Sequence, residues 1–171
     1  MSYKDLKSYQ NSVYICDFTV EFAEMYIRHY SRTRDQMEQA ARSCKQNIVE
    51  GTQASRTSKK TELKLLGVAR ASLQELLEDY EDYLRQHGLK LWEKDSEKSK
   101  AVRGIPYRTD KSYQSYRSYI SSPEDAANAM ICLINQTNYL LDKQITALEE
   151  KFVNEGGYTE NLFKKRLNKR F

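Results

Sequence analysis

Only two prolines and six glycines interrupt 171 residues, so the chain has few places where it can turn sharply. That leaves room for few, long elements, and the apolar residues recur at helical rather than strand spacing. From Tyr9 they run through Val13, Cys16, Val20, Ala23, Ile27 and Tyr30, alternating steps of four and three. This is a heptad seam on a helix from about Ser8 to Tyr30. A second stripe, Ile15, Phe18, Phe22 and Met25, lies beside it. Two seams make the helix apolar over far more than the usual arc of about 100°, which marks those four residues as a candidate interface with further copies of the chain.

The same spacing continues. Asp35 is placed to cap a second helix carrying Met37, Ala41, Cys44 and Ile48, with Gly51 suited to its left-handed end and "TQASRTS" a polar loop. A third helix is expected from the cap Ser58, along Leu63, Leu66, Leu73, Leu77, Tyr80 and Leu84, to the stop "RQHG". Residues 89–121 hold no sustained period, and a loop that long is uncommon unless functional or mobile. Ser122 and Pro123 then open a fourth helix with Ala127, Ile131, Ile134, Leu141, Ile145, Leu148 and Phe152, ending at "NEGG". Residues 158–171 can form a short basic helix capped by Thr159. The pattern predicts an all-α, antiparallel up-down four-helix bundle over 1–157, with a long insertion before the fourth helix and a basic tail.

No run of 18 apolar residues exists, so no membrane span is expected, and "MSYKDLKSYQ" lacks the apolar core of a signal peptide. Cys16, Cys44 and Cys132 form no CxxC pair and fall in apolar stripes, reading as small buried hydrophobes in a reducing, cytoplasmic compartment. Catalysis and cofactors are not expected. His29 follows Tyr26 by three places and His87 follows Leu84, so neither completes a Glu-x-x-His metal pair. Gly156-Gly157 has no phosphate-loop context, and no Ser/His/Asp or Cys/His set assembles. The acidic run Glu75–Tyr83 reads as a solvated face rather than a cation site.

Charge is unevenly placed. Residues 90–117 and 158–171 each carry a net charge of +4, leaving a mildly acidic body of −4, so polyanion binding belongs on those two segments. In the first, Tyr107, Tyr113, Tyr116 and Tyr119 alternate with Arg108, Lys111 and Arg117. Aromatic faces that stack bases, interleaved with cations that meet phosphates, suit single-stranded nucleic acid; the plainer alternative is a Tyr-rich loop lying over the bundle. The tail's Lys164, Lys165, Arg166, Lys169 and Arg170 suit nucleic acid, an acidic protein partner or solubility, and an anionic membrane surface less well.

One polar knot stands out. Arg42, Ser43, Asn47, Ile48, Glu50, Gly51, Arg56, Ser58 and Glu62 precede a Leu-rich helix bearing Ala69, Ser72, Leu73, Glu75 and Leu76. This order and spacing resembles the bacterial four-helix-bundle proteins encoded by intervening sequences in large-subunit ribosomal RNA genes. It also resembles the accessory variability determinants of diversity-generating retroelements. Ala71 and the two basic segments depart from that plan. The resemblance implies a homopentamer around a central channel and a binding role, toward RNA and a reverse transcriptase in the retroelement relatives. Within the knot, Asn47 and Glu50 are expected to tie helix two to helix three through Arg42 or Arg56. The alternative gathers Arg42, Arg56, Lys59 and Lys60 into a rim facing a polyanion. Two functions stay open: a non-catalytic oligomeric module that binds RNA or DNA, and a scaffold docking an acidic protein.

Overall fold

The computed structural model describes residues 2–169, and every regular element among them is helical. In chain order these are α1 (Lys7–Tyr26), α2 (Arg32–Ala54), α3 (Lys59–Gln86), α4 (Glu97–Gly104), α5 (Tyr113–Arg117), α6 (Pro123–Glu155) and α7 (Tyr158–Asn168), with 3-10 turns at Tyr3–Asp5 and Ile105–Tyr107. The long helices α1, α2, α3 and α6 pack in a ring, α1 and α3 each bordering α2 and α6. None of the described helices is long and apolar enough to cross a membrane.

Local chemistry sets the helix ends. Ser58 Oγ accepts from Thr61 N at 3.1 Å to start α3, and Gly88, at φ +64°, ends it while Leu89 N donates back to Leu84 O at 2.9 Å. Ser122 Oγ accepts from Asp125 N at 3.3 Å, with Pro123 in the first turn of α6. Three expected boundaries move. Ser31, not Asp35, caps α2, its Oγ accepting from Thr33 N at 3.2 Å. Gly157, not Thr159, precedes α7, its N–H donating to Glu160 Oε2 at 2.9 Å. The first helix stops at Tyr26, where Ile27 turns extended.

Gly51 is not a helix stop either. α2 runs through it to Ala54, and a Cβ there would lie 3.4 Å from both the Glu62 carbonyl oxygen and Leu65 Cβ. The glycine lets α2 lie close against the start of α3. Glu50 therefore sits inside α2 rather than at its end.

The reading of α1 is also corrected. Ile15, Phe18 and Phe22 are 0% exposed within a single chain. They form the core stripe, with the Phe22 ring 4.9 Å from that of Tyr80 and 5.0 Å from that of Tyr83. Of the candidate interface only Met25 remains open, at 54% exposure. The ring interior takes one stripe, and residues 89–121 cover more of α1 by laying Tyr113 and Tyr116 against Tyr14. Ile15, Phe18 and Phe22 therefore do not argue for assembly.

Across the core, the hydroxyls of Thr19 and Tyr80 meet at 2.9 Å, each satisfying the other where water does not reach. Tyr80→Phe leaves Thr19 unpaired and should cost about 1–3 kcal/mol. Adding Thr19→Val should return part of that loss. Urea unfolding of the two single variants and the double variant measures the coupling; simple additivity would show that the pair does not act as a unit.

Candidate nucleic-acid interface

Residues 89–121 are a folded strap, not a loop. Trp92 N donates to Asn128 Oδ1 at 2.8 Å, and Asn128 Nδ2 donates to Lys90 O at 2.8 Å. Lys90 N donates to Glu124 Oε2 at 2.9 Å. Two side chains of α6 thus bond the backbone of the non-helical stretch before α4. Further along, Ser99 N donates to Ser96 Oγ at 3.2 Å to cap α4, and Gln136 Nε2 donates to Arg103 O at 3.0 Å. Val102, Ile105 and Tyr116 enter the core, and Tyr26 Oη donates to Ile120 O at 2.6 Å. Each piece is too short to show a period in sequence, which is why the segment reads as irregular.

This anchoring removes most of the expected stacking residues from the surface. Tyr116 is 1% exposed, its ring centroid 5.5 Å from that of Tyr14, and burial pushes its hydroxyl pKa up. Tyr113 is half-buried and donates to Glu21 Oε1 at 2.9 Å. Arg117 Nε meets Glu21 Oε2 at 2.9 Å, and Arg108 Nε meets Asp110 Oδ1 at 3.4 Å. Tyr113, Tyr116 and Arg117 fasten the strap to α1; they do not offer free rings and cations. Their alternation records packing against one helix, with Glu21 as the shared partner.

A different surface gathers exposed rings and cations without ion-pair partners among the described residues. Between the strap and the outer face of α6 runs a groove of about 790 Å³, flanked by Lys7 and Asn11 of α1 and Glu81 of α3. Its walls carry Trp92, Tyr107 and Tyr139, the last two exposed at 83% and 61%. Lys7, Lys94, Arg103 and Lys111 line it against the single carboxylate of Glu81. None of these four cations enters an ion pair among the described residues. Cations also sit on the ring faces: Lys98 Nζ lies 5.3 Å from the Trp92 ring centroid and Lys143 Nζ lies 5.6 Å from that of Tyr139. From Ile131 to Leu140 the floor extends along α6 for about 14 Å. Of this set, sequence reasoning reached Tyr107 and Lys111. Tyr139, an aromatic off the apolar stripe of α6, and Trp92, the one tryptophan, were the signals available for the rest.

The knot proves local. Asn47 Nδ2 donates to Ser43 O at 2.8 Å, and Ser43 Oγ meets Ser72 Oγ at 2.9 Å, which is where α2 and α3 are joined. Glu50 is exposed and forms no side-chain bond among the described residues, so the expected tie to Arg42 or Arg56 is absent. The cationic rim does not form either: Arg42 lies about 18 Å along α2 from its last residue, Ala54, and Lys59 Nζ is paired with Glu155 Oε2 at 3.1 Å. Arg56 and Lys60 are exposed. Glu62 is buried at the start of α3, its pKa raised by desolvation against the pull of Lys151 and Lys59. On α7, Lys164, Lys165 and Arg166 are exposed, as are Leu162 and Phe163, and so is Lys169 just past its end; Arg170 lies outside the described residues.

Both histidines make contacts within the chain. His87 stacks on Tyr83 at 4.1 Å with its Nδ1 2.8 Å from Tyr83 O, and His29 Nδ1 faces Arg34 Nη1 at 3.3 Å. Burial raises the thiol pKa of Cys16, Cys44 and Cys132, which disfavours thiolate. No group of His, Cys, Asp or Glu among the described residues is arranged to hold a metal ion. In the acidic run, Asp79 is pushed up to about 6 by desolvation and then by Asp82, Glu75 and Glu78.

Two expectations follow. Asn128→Ala should cost about 1–3 kcal/mol and raise amide exchange in residues 89–104 more than in α2 or α3; uniform change would mean that the clamp does not hold the strap. A carboxyl whose pKa rises on folding stabilises in its protonated form. The contribution of Asp79 is therefore complete below pH 4 and lost as pH climbs through about 6. Relative to wild type, Asp79→Asn should gain about 1 kcal/mol between those limits, allowing for solvent screening of a half-exposed group; a pH-independent difference in thermal unfolding would refute it. No protein-family model, curated protein or solved structure matches this chain.

Proposed function

We propose that this protein is a non-catalytic antiparallel four-helix bundle that binds single-stranded RNA or DNA along the groove between the strap and α6. The carrying observation is that exposed aromatic rings, Tyr107 and Tyr139 with Trp92 beside them, alternate with four unpaired cations on one concave surface. Rings take up bases whatever the sequence, and cations follow the phosphates. The exposed cations of α7 add a sequence-independent attraction that should fall with salt. A non-catalytic role is supported by the raised thiol pKa values and the engaged histidines. The family resemblance of the Arg42–Leu76 stretch points the same way, toward binding, and carries with it an assembly of several copies that mass measurement in solution would read.

Fluorescence anisotropy with labelled single-stranded oligonucleotides at low salt tests this reading. Tyr107→Ala and Tyr139→Ala should each weaken binding by about 1–3 kcal/mol, without the loss of thermal stability expected of Tyr116→Ala. Arg103→Gln should lower the slope of log affinity against log salt by about 0.7. No binding to single-stranded RNA or DNA at low salt would sink the proposal. So would full binding by both tyrosine variants, because the contact would then be led by charge alone, as for an acidic protein partner.

A further inference from the structure

α3 packs between α2 and α6 and leaves its remaining side open. Lys60, Lys64, Gly67, Ala71, Glu75 and Glu78 are all exposed, and their steps of three and four residues keep them in one stripe along the helix. Charge on this stripe is divided by position. Two lysines precede the small residues and two glutamates follow them, and none of the four enters an ion pair among the described residues. The division works against the helix itself. Lys60 and Lys64, Glu75 and Asp79, and Glu78 and Asp82 are like charges four residues apart, a spacing at which they repel. The glycine is equally unexplained within the chain. Gly51 admits a neighbouring helix, but a Cβ on Gly67 would meet nothing within 4 Å. A glycine inside a helix is destabilising relative to alanine, and here no contact of this chain accounts for it. Val68 beside it is 41% exposed.

We propose that the open face of α3 joins two copies of this chain, their α3 helices packed antiparallel across a two-fold axis between Gly67 and Ala71. Antiparallel helices that cross there set Gly67 opposite the partner's Ala71, Lys64 opposite the partner's Glu75, and Lys60 opposite the partner's Glu78. The two-fold axis repeats each contact, so opposite charges flank a centre whose small side chains let the two backbones approach. An in-register parallel pair would set lysine on lysine and glutamate on glutamate, so the charges select the antiparallel arrangement. From Lys60 to Glu78 the contact runs about 27 Å along one helix face. That is a small interface, below about 1,200 Å², and its pairing is reversible and weakened by salt. The groove proposed for nucleic acid is built on α1, the strap and α6, with Glu81 its only residue from α3. The two surfaces are separate, and either can fail without the other.

Sedimentation equilibrium of the full chain over a loading series at low salt should give twice the chain mass, falling toward one copy as salt rises. Lys64→Glu and Glu75→Lys should each weaken pairing by about tenfold, because each turns two opposite-charge contacts into like-charge ones. Mixed in equal amounts, the two variants should pair with each other as tightly as wild type, since each supplies the charge that the other has lost. Gly67→Leu should abolish pairing while the chain stays folded, because its side chain has open space in the lone copy. Thermal unfolding of dilute samples, in which every variant is a single copy, checks that none has lost its fold. A single copy at every loading overturns the proposal. So does an odd-numbered assembly, which cannot be built by pairing every α3. Wild-type pairing by both charge variants, or a mixture that restores nothing, places any association elsewhere on the molecule and also overturns it.

Discussion

Asn128 is the residue on which the arrangement turns. Its side chain, 1% exposed, accepts from Trp92 N and donates to the carbonyls of Lys90 and Glu124. A non-helical stretch in an all-α protein has no ladder to satisfy its backbone, and an asparagine amide presents both a donor and an acceptor. Once the stretch is fixed on α6, the hinge of the strap is set. α4 then lands with Val102 and Ile105 in the core, and α5 reaches α1. The groove is the space between the strap and the helix that holds it.

Charge follows the same logic. The strap is basic overall, but its cations divide according to what lies beneath them. Arg117 faces Glu21 and Lys98 faces Asp125, so each is largely neutralised within the chain. Lys94, Arg103 and Lys111 face the groove, where the described surface provides one carboxylate. A polyanion would meet the second group. Counting charges along the sequence weights all of them equally, and only their neighbours tell them apart.

The architecture was legible because helix caps, apolar stripes and the scarcity of turn formers all act over a few residues. Ser58, Gly88, Ser122 and Pro123 mark true boundaries. Gly51 misled because a glycine that ends a helix and one that admits a neighbouring helix look identical in sequence; the contact with Glu62 and Leu65 separates them. Phe18 and Phe22 misled for a related reason. Two apolar stripes suggest a core and an interface; Ile15, Phe18 and Phe22 are core, and in the other stripe Val20 and Tyr30 stay exposed while Cys16 lies near Lys45 and Arg42 of α2. Tyr113 and Tyr116 alternate with cations whether they stack bases or pack on α1, and Glu21, 92 residues from Tyr113 in the chain, decides which.

The sequence alone determined that the chain is helical, where α3 and α6 start and stop, and which two segments carry the positive charge, since all three depend on neighbours within a turn or two. The tertiary structure decided which aromatics and which cations remain available. That choice depends on contacts between residues far apart in the chain, and burial and ion pairing act on whatever the fold brings within a few ångströms.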